Sequence, residues 1–123
     1  MGLDALKKLI REKQFSQEKE HIIPIILLEQ RPYNKIRDLG FEGKKDLEDY
    51  IDTYGNLISL EKSLNRKANN KDLYGKDEIY KNSEIPFNRR FNVKGFNKKA
   101  LIARNDEMQE WLINTFFKGF AAH

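Results

Sequence analysis

Apolar positions along this chain change period several times, and each change marks an element. Leu3, Leu6, Leu9 and Ile10 recur at helical spacing with Lys7, Lys8 and Arg11 among them, which predicts a short amphipathic helix over residues 3–14. From Phe15 to Ile23 the pattern is extended, and it stops at Pro24, which has no amide to donate to a ladder. Ile25 to Leu28 is a short apolar run that fits a buried turn of helix or a strand equally, because periodicity cannot separate them over so few residues. Arg31 to Asn34 reads as a loop, and Gly40 and Gly43 predict irregular structure from Ile36 to Lys45.

Leu47, Tyr50, Ile51 and Tyr54 repeat at i, i+3, i+4 and i+7, so residues 45–53 are predicted helical, with Gly55 placed to end the helix. Leu57 to Leu60 makes a short strand. Ser63 is the predicted N-cap of a helix that runs to Lys71 and carries Asn65 in its first turn. A further short helix over residues 75–83 turns Ile79 and Tyr80 inward, and residues 85–95, with Pro86, read as loop. Lys98 to Phe117 is the longest predicted helix, with Leu101, Ile102, Asn105, Met108, Leu112, Ile113 and Phe116 on one broad face. Short strands among several helices define an α+β chain that is mostly helical. With 123 residues and no internal repeat, it reads as a single domain over 1–123.

Composition narrows the class. Charged residues make up 34% of the chain, yet eight Phe, five Tyr and one Trp supply the aromatic content that disordered chains lack. No apolar run approaches the roughly 20 residues a membrane span requires, and Leu9-Ile10 is flanked by charges, unlike a secretory leader. The absence of cysteine excludes disulfides and thiolate-ligated zinc, and fits a cytoplasmic protein. A net charge of +4 is mild, so its distribution matters more. Lys62, Arg66, Lys67, Lys71 and Lys76 follow the second strand, the footprint expected of a phosphate-backbone partner or, equally, of a solvated helix face.

Two stretches carry the candidate chemistry. Glu20-His21-Ile22-Ile23-Pro24 sets an acid beside the one internal histidine, and Gly55-Asn56-Leu57 leads through Asn65-Arg66-Lys67 to a predicted helix. Phosphodiester hydrolysis needs a base for water and a cation for the charge on phosphate. Histidine suits the first near neutral pH. A carboxylate with a neutral oxygen ligand suits Mg²⁺, which takes few protein ligands. Adjacent strand residues point to opposite faces, so Glu20 and His21 share one site only if a bulge or turn interrupts the strand.

These stretches resemble the ββα-metal motif of HNH nucleases. More specifically, Glu-His-Ile-Ile-Pro, Gly-Asn-Leu-Ile-Ser-Leu and Leu-Asn-Arg-Lys-Ala resemble the HNH half of GmrSD-type modification-dependent restriction proteins. The spacing from Asn56 to Asn65 is also similar to that in the HNH domain of RNA-guided CRISPR nucleases. A weaker likeness continues through Lys76, Tyr80 and Ser83 to Ile102-Ala103-Arg104. The resemblance implies a ββα-metal core over about residues 15–72 wrapped by helices, including one over 98–117. His21 would be the general base, Glu20 and Asn65 the ligands of Mg²⁺ or Mn²⁺, and Asn56 the residue that ties the strands together and holds the histidine's loop. Arg66, Lys67, Lys71 and Lys76 would contact nucleic acid, and residues 25–54 would be an insertion between the strands.

The function this implies is metal-dependent cleavage of DNA as the nuclease module of a restriction or phage-defence system. Sensing would fall to a ParB/NTPase-like domain or subunit, since the chain has no phosphate-binding glycine loop. The alternative is a non-catalytic nucleic-acid-binding or partner-docking domain on the same scaffold. Glu18 would share the strand face of Glu20, Arg104 reads as a packing or pairing residue, and Phe116, Phe117 and Phe120 read as core or docking surface.

Overall fold

The structure, a computed structural model, describes residues 17–117 together with Gly2 and Asp4. The helix predicted over 3–14 lies outside the described residues, as do Phe120 and the side chains of Phe116 and Phe117. Among the described residues the sheet has two antiparallel strands, β1 (Gln17–His21) and β2 (Leu57–Glu61). Their register pairs Glu18 with Leu60, Glu20 with Ile58 and His21 with Leu57. Partners directly across an antiparallel ladder lie on one face. One face therefore carries Glu18, Glu20, Ile58 and Leu60, and it is the buried one. His21 and Lys19 stand on the other. β1 runs regularly through His21, so no bulge brings Glu20 and His21 to the same side.

Between the strands the chain forms a 3₁₀ turn (Ile25–Glu29), α1 (Asn34–Asp38), α2 (Lys44–Tyr50) and a second 3₁₀ turn (Tyr54–Asn56). After β2 come α3 (Lys62–Ala68), α4 (Leu73–Tyr80), α5 (Pro86–Arg90) and α6 (Lys98–Leu112), which widens into a π turn at Ile113–Phe117. α3 packs against both strands and against α4, so these helices cover the buried face of the sheet. α6 packs on the second 3₁₀ turn. The core between these layers is built from Ile22, Ile23, Ile36, Leu47, Leu60, Val93 and Leu101, each essentially removed from solvent. Burial of one such side chain contributes about 1.5–3 kcal/mol. Among the described residues, no helix is long and apolar enough to cross a membrane.

Several elements differ from the sequence expectation. α1 and α5 occupy stretches predicted irregular, because five-residue helices are too short to print a period. α1 is anchored by buried Ile36. α5 starts on Pro86, whose fixed φ suits a first turn, and buried Asn88 donates to the Ser59 carbonyl at 2.8 Å. Helix α3 begins after Glu61, two residues earlier than a Ser63 cap would allow, and ends at Ala68 instead of Lys71. Asp72 accepts from the Gly75 amide and starts α4 at Leu73. On α6 only Leu101 is buried, while Met108, Leu112 and Ile113 of the predicted apolar face are exposed. Gly55 does not end a helix. A Cβ there would lie 2.2 Å from the Leu101 carbonyl oxygen, so this glycine permits α6 to approach the turn.

Candidate active site and the buried pair beneath it

Asn56 is fully buried at the tip of the 3₁₀ turn before β2. Its Oδ1 accepts the Ile23 amide at 2.8 Å, and its Nδ2 donates to the carbonyls of Ile23 (3.1 Å) and Ile51 (2.9 Å). Its own carbonyl accepts the Ile22 amide at 2.9 Å. The side chain thus replaces a missing strand neighbour for the loop that follows His21. Its donors are both used, and so is its oxygen. The turn is held in turn by α6. Asn105 Oδ1 accepts the Gly55 amide at 2.6 Å, and Arg104 donates to the carbonyls of Gly55 (2.8 Å) and Leu57 (3.2 Å). The Arg104 guanidinium lies 5.1 Å from the centre of the Phe91 ring, so Arg104 packs and pairs.

His21 projects from the solvent-facing side of β1 with about a quarter of its side chain exposed. Its Nε2 lies 2.8 Å from Oδ1 of Asp52, on the loop between α2 and the second 3₁₀ turn. A neutral imidazole that donates Nε2–H to this carboxylate has Nδ1 unprotonated, with a lone pair for a water proton. Asp52 was not singled out from sequence. Its signal was faint, an acid four residues before Asn56 within an acidic run, and nothing local ties it to a residue 31 positions earlier.

Glu20 faces the other way. It is 1% exposed, its Oε1 lies 2.5 Å from the Lys76 ammonium, and its Oε2 accepts a hydrogen bond from the Tyr80 hydroxyl. Lys76, itself fully buried on α4, also donates to the His21 carbonyl oxygen at 2.8 Å. Burial pushes the Glu20 carboxyl up to about 7, against the lowering pull of Lys76. The same burial pushes the Lys76 ammonium below its usual range. Lys76 therefore corrects an expectation, since a lysine with no exposed surface and a carboxylate partner cannot reach a phosphate.

Asn65, on α3, donates through Nδ2 to Glu18 Oε2 at 2.8 Å. The structure thus brings Asn65 to Glu18 and leaves Glu20 with Lys76. Among the described residues, no three His, Asp or Glu side chains converge in the manner of a metal centre. Glu20 and Asn65 do not fit a divalent ion in this arrangement. Both Glu20 oxygens are engaged by an ammonium and a hydroxyl, in a space too dry for the waters that Mg²⁺ keeps. Arg66, Lys67 and Lys71 are exposed, and no ion pair engages them among the described residues.

The sequence of this chain, matched over most of its length, places it among domains of restriction endonucleases. The chain belongs to the family described as GmrSD restriction endonucleases, C-terminal domain, whose sequence model matches residues 3–111. This is the family that the Glu20–Pro24 and Gly55–Ala68 stretches resemble. No curated protein and no solved structure matches the chain.

Proposed function

We propose that this domain hydrolyses DNA phosphodiester bonds as the cleavage module of a restriction or phage-defence system, with His21 as the general base. The observation that carries this reading is the His21–Asp52 pair, which stands partly open to solvent at the end of a strand whose following loop is pinned by Asn56. Nδ1 of His21 takes a proton from water, the water oxygen bonds to phosphorus, and the bridging P–O bond breaks. Solvent then protonates the leaving alkoxide. Asp52 holds the ring orientation and stabilises the imidazolium. Asn56 acts only by positioning. Arg66, Lys67 and Lys71 contact backbone phosphates, which fits their exposure and the absence of ion-pair partners among the described residues.

The β1–β2–α3 succession supports a ββα nuclease core. The cofactor this reading expects is Mg²⁺ or Mn²⁺, held by a ligand set other than the engaged Glu20 and Asn65, and a ParB/NTPase-like domain or subunit supplies sensing. The alternative, a non-catalytic binding or docking domain, has no use for a solvent-accessible histidine with a carboxylate partner.

Plasmid nicking with Mg²⁺ or Mn²⁺, compared with an EDTA control and with His21→Ala, tests the reading. Metal-dependent cutting that falls by roughly 10²–10⁴-fold in the variant is the expected outcome. Cutting that survives the substitution would overturn the assignment of His21. DNA binding without cutting, by wild-type protein under every metal, would favour the non-catalytic alternative.

A further inference from the structure

Burying a lysine and a glutamate together is expensive, and the pair offsets that cost only where geometry and further hydrogen bonds are good. Here the ammonium reaches past Glu20 to a specific backbone atom, the carbonyl oxygen of His21. The next two residues, Ile22 and Ile23, are tied to Asn56 by three hydrogen bonds between them. The His21 peptide is thus clamped from the α4 side by Lys76 and from the β2 side by Asn56. Together with the pairing of His21 to Leu57 across the ladder, a peptide plane held at both ends sets the direction of the Cα–Cβ bond that carries the imidazole. The Tyr80 hydroxyl closes the remaining Glu20 oxygen and keeps the carboxylate aimed at Lys76.

We propose that Lys76 is a positioning residue for His21, and that Glu20 and Tyr80 position Lys76. Glu20 then acts from beneath the strand, through the backbone, on the histidine beside it. The inference rests on His21 being the general base. It assigns Lys76 to turnover, with no role in holding DNA.

The test uses the full chain with Lys76→Met/Glu20→Gln, a double substitution that leaves no lone buried charge. The chain has two histidines, His21 and His123, so ring NMR resolves His21 directly. In wild type at pH 8, His21 is expected as one tautomer with the proton on Nε2. In the double variant the expected result is a mixture of tautomers, with kcat for nicking lowered about 100-fold and KM for DNA unchanged, the size of effect that a roughly 1 Å misplacement produces.

A phosphate-binding lysine would behave oppositely, with KM raised, salt dependence flattened and kcat retained. That result would overturn the proposal. So would a folded double variant with the wild-type tautomer. Tyr80→Phe removes one hydroxyl and serves if the double variant does not fold. A several-fold fall in kcat with a perturbed His21 ring signal is expected, and an unchanged ring signal would overturn the proposal. Loss of the proposed function itself reads out separately, as nicking that survives His21→Ala.

Discussion

Glu20 and His21 are adjacent in the chain and stand in opposite surroundings. His21 faces solvent and is paired with an exposed carboxylate, whereas Glu20 is sealed against Lys76 and Tyr80. The difference follows from the period of a strand, which sends neighbours to opposite faces. The two faces have different physical chemistry. On the outer face, water screens the Asp52–His21 pair, so it contributes little to stability and can serve reactivity. On the inner face both groups are sealed from solvent, so disrupting the Glu20–Lys76 contact is costly. One strand thereby separates the proposed general base from the groups proposed to position it.

The largest effect expected from breaking this comparison is on the inner face. Lys76→Met alone leaves Glu20 buried with one polar partner, and a loss of about 3–5 kcal/mol in urea unfolding is expected. Glu20→Gln in the same chain should restore most of it. A single variant as stable as wild type would mean that Glu20 ionisation and burial are less coupled than the geometry requires.

The outer face should show the reverse pattern. Asp52→Asn changes an exposed carboxylate, so stability should move by less than about 0.5 kcal/mol. Nicking should fall about tenfold, a fraction of the roughly 10²–10⁴ that a positioned base supplies. A stability loss without a rate loss would place Asp52 among structural residues and remove it from the site.

The smallest effect belongs to a pair remote from both faces. Asp46 accepts from Lys98 Nζ at 2.8 Å and from the Glu42 amide at 2.9 Å, and these bonds hold its carboxyl below the usual carboxylate range. Because the folded value is depressed, the stabilisation is present above the unfolded value of 3.8 and is lost as pH falls through the folded one. Wild type should therefore exceed Asp46→Asn in melting temperature at pH 6, and the gap should close as pH falls well below 3.8. A gap that persists at low pH would assign it to packing.

The sequence by itself determined the parts that rest on neighbouring residues. Period-two and period-3.6 spacing located β1, β2, α2 and α6, and short-range chemistry singled out His21 and the Gly55-Asn56 turn. The motif order also pointed to the family to which the chain belongs. Tertiary structure decided what each of those residues meets. Lys76 looked like one more surface cation, because periodicity ranks positions on an element without saying which distant element will cover them. Its partner Glu20 lies 56 residues away. Asp52, Arg104 and Asn105 drew their roles from contacts of the same kind, 31 to 50 residues apart. The charge of a side chain is local information. Whether that charge is screened by water or sealed inside is set by packing, and packing is a property of the whole chain.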